Sequence, residues 1–149
     1  MKDKRILVVD DLKVNRDILR KYLENKYEII EACDGEEAIE LIEKHQLGIS
    51  LILLDLVMPK KTGFDVLNYL TEYGYMSEIP VIVITSEAYY EVELKAFDYG
   101  VSDFVTKPFY PQIVQKRVQN LIDLYDTQKN LRTLLDEQTM ELMMEIEEN

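Results

Sequence analysis

Acidic residues follow two apolar runs of the chain, and this placement suggests a cation site. Asp10 and Asp11 come directly after residues 6–9. Asp55 follows residues 51–54, an unbroken apolar run typical of a strand buried on both faces. If the two runs are neighbouring strands, the three carboxylates meet at one sheet edge, where they repel one another and lose water. A divalent cation relieves this repulsion, and Mg²⁺ prefers oxygen ligands and keeps several of its waters.

A hydroxyl and an ammonium group stand at comparable positions further along the chain. Thr85 ends the apolar run 80–85, and Lys107 follows the run 101–106. Acids, a cation, one hydroxyl and one ammonium together suit the transfer of a phosphoryl group to a carboxylate, which needs positioning and charge neutralisation. We take Asp55 to be the nucleophile, and therefore the residue that is modified.

Strand-like runs and helical patterns alternate five times. Strands are predicted at residues 5–10, 27–32, 49–55, 80–85 and 101–106. Apolar residues at helical spacing predict helices between them, including 36–44, 64–73 and 87–99. Such alternation indicates an α/β fold with a five-stranded parallel sheet and helices on both faces. Five short units favour the flavodoxin-like strand order 2-1-3-4-5, in which the first and third strands flank the ligand crevice.

The composition excludes several classes of protein. The 149 residues include 29 acidic and 17 basic side chains, which give a net charge of -12. Direct nucleic-acid binding requires a basic face and is not expected. No apolar stretch reaches the length of a membrane span or a signal-peptide core, so we expect neither. The single cysteine, Cys33, cannot form an internal disulfide, which suits a reducing cytoplasm.

Four short motifs stand at the predicted strand ends. They are Asp10-Asp11, Leu54-Asp55-Leu56-Val57-Met58-Pro59 with Gly63, Thr85-Ser86, and Phe104-Val105-Thr106-Lys107-Pro108. Each motif is weak alone, since every one of these residues also fits an ordinary surface or core role. In this order and at these positions they resemble the receiver domains of bacterial two-component response regulators, the CheY-like domains. The resemblance covers residues 5–124.

The resemblance implies a role for each site residue. Asp55 would accept phosphate from the phosphohistidine of a sensor histidine kinase or a phosphotransfer protein. Asp11, Asp55 and the backbone carbonyl of Val57 would bind Mg²⁺ (or Mn²⁺), and Asp10 would act largely through water. Lys107 would contact one phosphoryl oxygen, and the Thr85 hydroxyl would swing to another.

The same resemblance implies a conformational switch. Phe104 matches the family's switch aromatic, which turns inward when Thr85 moves. The bond between Lys107 and Pro108 would be cis, an isomer that proline makes accessible. Phosphorylation would then alter the face formed by the fourth helix, the fifth strand and the fifth helix, and so control an output domain.

Two other functions are compatible with parts of this pattern. A phosphatase of the haloacid dehalogenase type also forms an aspartyl phosphate, but it needs an acid two residues after its nucleophile, where this chain has Val57. A flavin-binding protein of the flavodoxin type needs a loop of Ser, Thr or Gly that binds phosphate, whereas residues 11–15 include an acid and lack that composition. We therefore expect a signalling module rather than an enzyme.

The end of the chain carries a long helical pattern. Its members step alternately by four and three residues, a heptad signal: Val114, Val118, Leu121, Tyr125, Gln128, Arg132, Leu135, Thr139, Leu142 and Ile146. No Gly or Pro interrupts residues 112–149, so one helix of about 55 Å is expected. We divide the chain into a receiver domain, residues 1–124, and a coiled-coil-like linker or dimerisation extension, residues 125–149.

The tail also suggests partners. We expect a homodimer through the fourth-helix face, the C-terminal helix, or both. Glu145, Glu147 and Glu148 lie at the C-terminus of the predicted helix, where the helix dipole disfavours acids. This favours a longer protein whose output domain is missing from this chain. The tail resembles signalling-helix linkers that join receivers to domains that synthesise or hydrolyse cyclic-di-GMP, and no membrane partner is expected.

Overall fold

In a computed structural model of the protein, residues 2–58, 60–86 and 90–148 are described, with the side chain of Tyr90 excepted. The strands β1 to β5 are Arg5–Val9, Glu28–Ala32, Leu51–Asp55, Val81–Thr85 and Asp103–Thr106. The helices α1 to α5 are Lys13–Leu23, Gly35–His45, Gly63–Glu72, Tyr90–Tyr99 and Pro111–Glu148. A short 3₁₀ turn, Gln46–Gly48, lies between α2 and β3. Strands and helices alternate as the apolar pattern predicts.

The five strands form one parallel sheet in the order β2-β1-β3-β4-β5. This confirms the predicted α/β fold and its flavodoxin-like strand order. β3 lies in the middle of the sheet, and all five of its residues are buried. On one side Val9 of β1 is level with Leu54, and on the other Ile84 of β4 is level with Asp55. The carboxyl ends of these three strands therefore lie side by side.

Alternate side chains of β3 fill two separate cores, one on each face of the sheet. Ile52 and Leu54 belong to the core that α2, α3 and α4 cover. Leu51 and Leu53 belong to the core that α1 and α5 cover. Fully burying a side chain of this size stabilises the fold by about 1.5–3 kcal/mol. Asp55 thus follows directly on a segment that packing holds from both sides.

All five strands are shorter than the sequence predicts, β1, β2 and β4 by one residue and β3 and β5 by two. β3 begins at Leu51 rather than at residue 49, and β5 begins at Asp103 rather than at residue 101. Ile49 and Val101 are buried, which explains their strand-like pattern. The Ile49 N–H, however, donates to the Gln46 carbonyl at 3.1 Å and closes the preceding turn. The apolar run is therefore longer than the strand, because residues just before the strand are buried without pairing in the sheet.

Some predicted features lie outside the described residues. The fourth helix is predicted from Glu87 and is described from Tyr90 onward. Pro59, in the motif that follows Asp55, also lies outside the description, as does Asn149 at the end of the tail.

The C-terminal helix α5 is 38 residues long, about 57 Å at the usual rise per residue. Its first half packs on the sheet through Val114, Val118 and Ile122. Every residue in 131–148 is exposed. Within the described ranges, no helix combines the length and the apolar character that crossing a membrane requires.

Two members of the predicted heptad series contact the α/β body instead of pointing into solvent. The Tyr125 hydroxyl lies 3.5 Å from the hydroxyl of Ser102. Arg132 donates to both carboxylate oxygens of Glu78, at 3.1 and 3.2 Å. The exposed apolar face of the tail is therefore shifted from the predicted series. It keeps Leu135 and Leu142 of that series but runs through Leu131 instead of Arg132, because the body occupies the side of the helix that carries Tyr125 and Arg132.

Candidate functional site

Asp55 ends the central strand and is almost completely buried, with 6% of its surface exposed. Its Oδ1 accepts a hydrogen bond from the backbone N–H of Val57 at 3.0 Å. Its Oδ2 lies 3.5 Å from Nζ of Lys107. One donor on each oxygen, together with a rigid strand behind it, fixes the orientation of this carboxylate.

Asp10 and Asp11 follow β1 and lie beside Asp55. Asp10 is fully buried. Its oxygens accept hydrogen bonds from the Leu12 N–H at 2.9 Å and from the side-chain amide of Asn15 at 3.2 and 3.3 Å. One oxygen from each of the three aspartates lies within 4.8 Å of the other two. The structure therefore brings together the three acids that the sequence places at neighbouring strand ends.

Lys107 follows β5 and carries a positive charge into the site. Its Nζ lies 3.5 Å from Asp55 Oδ2 and 3.7 Å from Asp10 Oδ2. Its backbone N–H donates to the Thr85 carbonyl at 2.8 Å, which continues the β4–β5 pairing to the strand ends. The following peptide bond, between Lys107 and Pro108, is cis. This one ammonium offsets only part of the charge of the three carboxylates.

Thr85 ends β4 and is buried. Its hydroxyl oxygen has no hydrogen-bond partner among the residues that the structure describes. An unsatisfied buried polar group costs about 1–3 kcal/mol, and a ligand that hydrogen-bonds to this hydroxyl would remove that cost. The Thr85 side chain lines the same cavity as the acids.

A cavity of about 230 Å³ joins the groups at this sheet edge. Its lining includes Asp11, Asp55, Thr85, Ser86 and Lys107. A second cavity, of about 270 Å³, lies between α1 and α5 and has no carboxylate in its lining. The two cavities are similar in volume but differ in their lining. Both contain hydroxyl and ammonium groups, but only the cavity at the sheet edge combines them with carboxylates.

Phe104 connects the elements next to the site. It lies in β5, half-buried, and its ring packs edge-on against Phe97 of α4 with centroids 4.7 Å apart. Arg117 of α5 donates a hydrogen bond to the Phe104 carbonyl. It also lies 3.7 Å from the carboxylate of Asp103. A movement of Phe104 would therefore change its contacts with both α4 and α5.

Loss of water is the main electrostatic effect at the site. Burial raises the pKa of the Asp55 carboxyl above its usual 3.8. The Val57 N–H and the charge of Lys107 oppose that rise in pKa, whereas Asp10 and Asp11 add to it. The protein thus holds an acid in a place that disfavours its ionised form, and positive charge from outside the chain would stabilise that form.

Two glycines hold the loop that follows β3. A Cβ on Gly63 would lie 2.5 Å from the Asp55 carbonyl oxygen. Gly35, at the start of α2, donates its N–H to the Lys61 carbonyl at 2.9 Å, and a Cβ there would lie 2.3 Å from that oxygen. A side chain at either position would displace the loop that carries Val57. Both contacts therefore contribute to the position of the backbone next to Asp55.

Sequence reasoning did not identify Asn15 or Gly35 as parts of the site. Asn15 orients Asp10 from the first turn of α1. Asp34, directly before Gly35, caps α2 by accepting a hydrogen bond from the Glu37 N–H at 2.8 Å. A polar residue before a helical pattern is a recognised N-cap signal. The contact between Gly35 and Lys61, by contrast, depends on how α2 packs on a distant loop.

These features agree with what comparison with known proteins finds. The family model of the response regulator receiver domain matches residues 6–119. The chain belongs to this family, which confirms the resemblance seen in the motifs.

Individual relatives support the assignment. The response regulator RR06 of Streptococcus pneumoniae is 39% identical over 121 residues, which make up 80% of this chain and 54% of that protein. The transcriptional regulatory protein CiaR, also of Streptococcus pneumoniae, is 35% identical over 119 residues, 80% of this chain and 51% of that protein. The chain thus spans about half the length of the curated relatives it matches. The solved structure of the Vibrio cholerae chemotaxis protein CheY4 is 27% identical, with a TM-score of 0.72, and the match covers 79% of this chain and 98% of that chain.

Proposed function

We propose that this chain is a phosphoacceptor in which Asp55 receives a phosphoryl group from the phosphohistidine of a sensor histidine kinase or a phosphotransfer protein. The observation that carries the proposal is the cluster of Asp10, Asp11 and Asp55 within 4.8 Å, with Lys107 Nζ 3.5 Å from Asp55. Membership of the receiver family supports the same reaction. The chain would act in the cytoplasm as a signalling module and not as an enzyme with many turnovers.

The donor atoms at the site fit Mg²⁺ or Mn²⁺, which are hard cations that take oxygen ligands. Asp11 and Asp55 line the cavity and would bind the cation directly, together with the backbone carbonyl of Val57. Both oxygens of Asp10 already accept hydrogen bonds from Leu12 or Asn15, so Asp10 would act largely through water. When bound, the cation would supply the charge neutralisation that phosphoryl transfer requires.

The transfer would form one bond and break one. An oxygen of Asp55 attacks the phosphorus of the donor's phosphoimidazole, and the P–N bond breaks with its electron pair remaining on the imidazole nitrogen. Lys107, already 3.5 Å from Asp55 Oδ2, contacts a phosphoryl oxygen of the product. The hydroxyl of Thr85, which lacks a partner within the described part of the chain, turns to another phosphoryl oxygen.

Movement of Thr85 would then switch the protein between two states, whose populations the phosphoryl group biases. Phe104 would turn inward toward the space that Thr85 leaves. Because the Phe104 ring packs on Phe97, its movement would change the position of α4 relative to β5. The face formed by α4, β5 and α5 would in this way report the state of Asp55.

This face and the tail would control a second copy of the chain, an output domain, or both. RR06 is named a response regulator and CiaR a transcriptional regulatory protein, which favours transcription as the output. The resemblance of the tail to signalling-helix linkers suggests cyclic-di-GMP turnover as an alternative output. In either case the net charge of -12 disfavours direct contact between this chain and nucleic acid.

Mass spectrometry of the intact chain after treatment with acetyl phosphate and Mg²⁺ tests the proposal. We expect one phosphoryl group per chain, no uptake by Asp55→Asn, and normal uptake by Asp98→Asn, which changes an exposed acid of α4. Thr85→Ala should still be phosphorylated but should lose the change in oligomer size or partner binding. If the wild-type chain neither takes up phosphate nor binds beryllium fluoride with Mg²⁺, the proposal is wrong. Many turnovers of a phosphate monoester, abolished by Asp55→Asn, would indicate the dehalogenase-type phosphatase instead.

A further inference from the structure

One stripe of apolar and amide side chains on α5 stays exposed where the helix leaves the body. We call it the tail stripe, and its members are Leu124, Gln128, Leu131, Leu135, Gln138 and Leu142. They step alternately by four and three residues, the spacing of a helix that packs along another helix. The four leucines are between 49% and 61% exposed. Apolar groups of this size and spacing gain most when a second helix covers them.

The tail stripe is separate from the side of α5 that the body occupies. Asp126 accepts a hydrogen bond from Lys4 at 2.7 Å, and Arg132 pairs with Glu78 at 3.1 Å. Leu131 directly precedes Arg132, and consecutive residues of an α-helix are about 100° apart around its axis. A second helix can therefore lie on the tail stripe while these contacts with the body remain in place.

We propose that the tail stripe is a self-association surface on which a second copy of this chain lies antiparallel. Along the stripe the residue types run Leu, Gln, Leu, Leu, Gln, Leu, and the spacings run four, three, four, three, four. Both orders are the same when read from either end. An antiparallel copy would place Leu124 opposite Leu142, Gln128 opposite Gln138, and Leu131 opposite Leu135. Leucine then meets leucine in every apolar layer, and each amide meets an amide that can both donate and accept.

Charge distinguishes the antiparallel arrangement from a parallel one, which would also match leucine with leucine. The last described turn of the helix holds Glu145, Glu147 and Glu148, and Glu145 occupies the next position of the stripe. A parallel pair would hold these acids beside their own copies, and neighbouring like charges are destabilising. In an antiparallel pair, the acidic end of each helix lies within about one turn of the partner's Lys116 and the partner's Arg117. The helix dipoles also oppose one another in that arrangement.

The residues beside the stripe favour a second copy over a charged partner. Two chains of net charge -12 repel each other unless their charges stay away from the contact. Of the positions that flank the stripe, Thr127, Leu134 and Thr139 carry no charge. Arg132 also flanks it, but its charge is paired with Glu78, which leaves Glu141 as a charged flanking residue. This inference narrows the self-association proposed above, but it does not depend on the chemistry of Asp55.

Disulfide cross-linking of the full chain distinguishes the two directions. In a Cys33→Ser background, the double variant Leu124→Cys, Leu142→Cys should form a covalent dimer under mild oxidation, and peptide mapping should find position 124 joined to position 142. Leu124→Cys alone should not cross-link, because an antiparallel pair holds the two copies of that residue about 27 Å apart along the helix. Efficient cross-linking of Leu124→Cys alone would show a parallel pair and overturn the proposal.

Light scattering measures whether the stripe causes association. The wild-type chain should have about twice its mass of 17.6 kDa. Leu131→Glu combined with Leu135→Glu should raise the dissociation constant at least about 100-fold. Thr133→Glu, on the other side of the same helix, should not. A monomeric wild type, or a dimer that the double variant leaves intact, would contradict the proposal. Because these residues lie far from Asp55, phosphate uptake by the double variant reports separately on the proposed function.

Discussion

The carboxyl edge of the sheet and the C-terminal half of α5 are both unfavourable as they stand, but for opposite reasons. At the sheet edge, Asp10 and Asp55 are charged groups removed from water, and Lys107 offsets only part of their charge. Along the tail, Leu131 and Leu135 are apolar groups left in water. A small cation would relieve the first unfavourable state, and an apolar partner would relieve the second.

This difference determines what each region responds to. The acidic site is built into the central strand, so changes in it alter the free energy of unfolding of the whole body. The tail has few contacts with the body beyond Arg132, so changes in it alter association and local motion instead. Metal ions and pH should act on the first region, and protein concentration should act on the second.

Removal of a cation ligand should have the largest effect. Asp11→Asn should weaken Mg²⁺ binding by at least about 100-fold, the upper end of the loss seen when residues that only support a ligand are changed. Titration calorimetry measures this affinity. Asp17→Asn is a matched control, because Asp17 pairs with Lys13 on the surface of α1. If the two variants bind Mg²⁺ equally well, the acids do not form the cation site.

A side chain at Gly35 should weaken the same binding indirectly. Gly35→Ala would push the Lys61 carbonyl and the loop that carries Val57, since the added Cβ has only 2.3 Å of room. We expect an affinity for Mg²⁺ about tenfold lower and a loss of stability of about 1–3 kcal/mol.

Gly48→Ala is the control for Gly35→Ala. A Cβ at Gly48 approaches only a side-chain nitrogen of Arg5, at 3.3 Å, on the opposite edge of the sheet. Calorimetry gives the affinity of each variant, and thermal unfolding gives its stability. A loss of stability in Gly35→Ala with unchanged Mg²⁺ affinity would limit this glycine to a structural role.

The two regions also differ in how well the sequence predicts them. Asp10, Asp55, Thr85 and Lys107 each come directly after or at the end of a buried run, and parallel strands necessarily bring such ends to one edge. The contact of Gly35 with Lys61 was not predictable in this way, because it joins residues whose separation in the sequence carries no periodic signal. The meeting of these side chains was therefore predictable from the sequence, and the glycine contacts that support the neighbouring backbone were not.

For the tail, the helix and its length were predictable from the absence of Gly and Pro and from the heptad spacing. The face of the helix that contacts the body was not predictable. The series through Tyr125 and Arg132 and the series through Leu124 and Leu131 both fit a spacing of four and three residues. Three-dimensional contacts separate them: Arg132 reaches Glu78, and its neighbour Leu131 is left exposed. The sequence of a single helix gives the spacing of its apolar residues, but its contacts with neighbouring elements determine which face of the helix is buried.

Neutralising Asp55 should have a moderate effect whose sign depends on pH. In the metal-free protein, burial raises the pKa of the Asp55 carboxyl above 3.8, so its ionised form is unfavourable in the folded state. Below its usual pKa Asp55 is protonated and destabilises the fold no more than a neutral residue would, and this condition is lost as the pH rises through the raised pKa. At neutral pH, Asp55→Asn should be the more stable protein by about 1 kcal/mol.

Chemical denaturation in EDTA at a series of pH values checks this prediction. The advantage of Asp55→Asn should appear as the pH rises above 3.8 and should shrink when Mg²⁺ is added, because only the wild type gains the full charge neutralisation. An advantage that grows as the pH falls would have the wrong sign and would contradict the account of the site.

Loosening the tail should have the smallest effect on global stability. Arg132→Ala removes the paired hydrogen bonds to Glu78, and exposed ion pairs contribute little to the free energy of unfolding. Local opening should change more: hydrogen exchange of amides in residues 125–132 should be faster in Arg132→Ala than in the wild type. Lys129→Ala removes a positive charge near Glu78 without breaking those bonds, so its exchange should remain closer to the wild type.

The pH dependence of this exchange tests the same contact. The hydrogen bond from Arg132 lowers the pKa of Glu78, so the pair contributes above the usual range of a glutamate and is lost as the pH falls through the lowered pKa. The exchange rates of wild type and Arg132→Ala, each corrected for intrinsic exchange, should converge as the pH is lowered through that range. Equal rates at neutral pH would mean that this ion pair does not hold the tail against the body, and that the contacts of Tyr125 with Ser102 and of Asp126 with Lys4 do so without it.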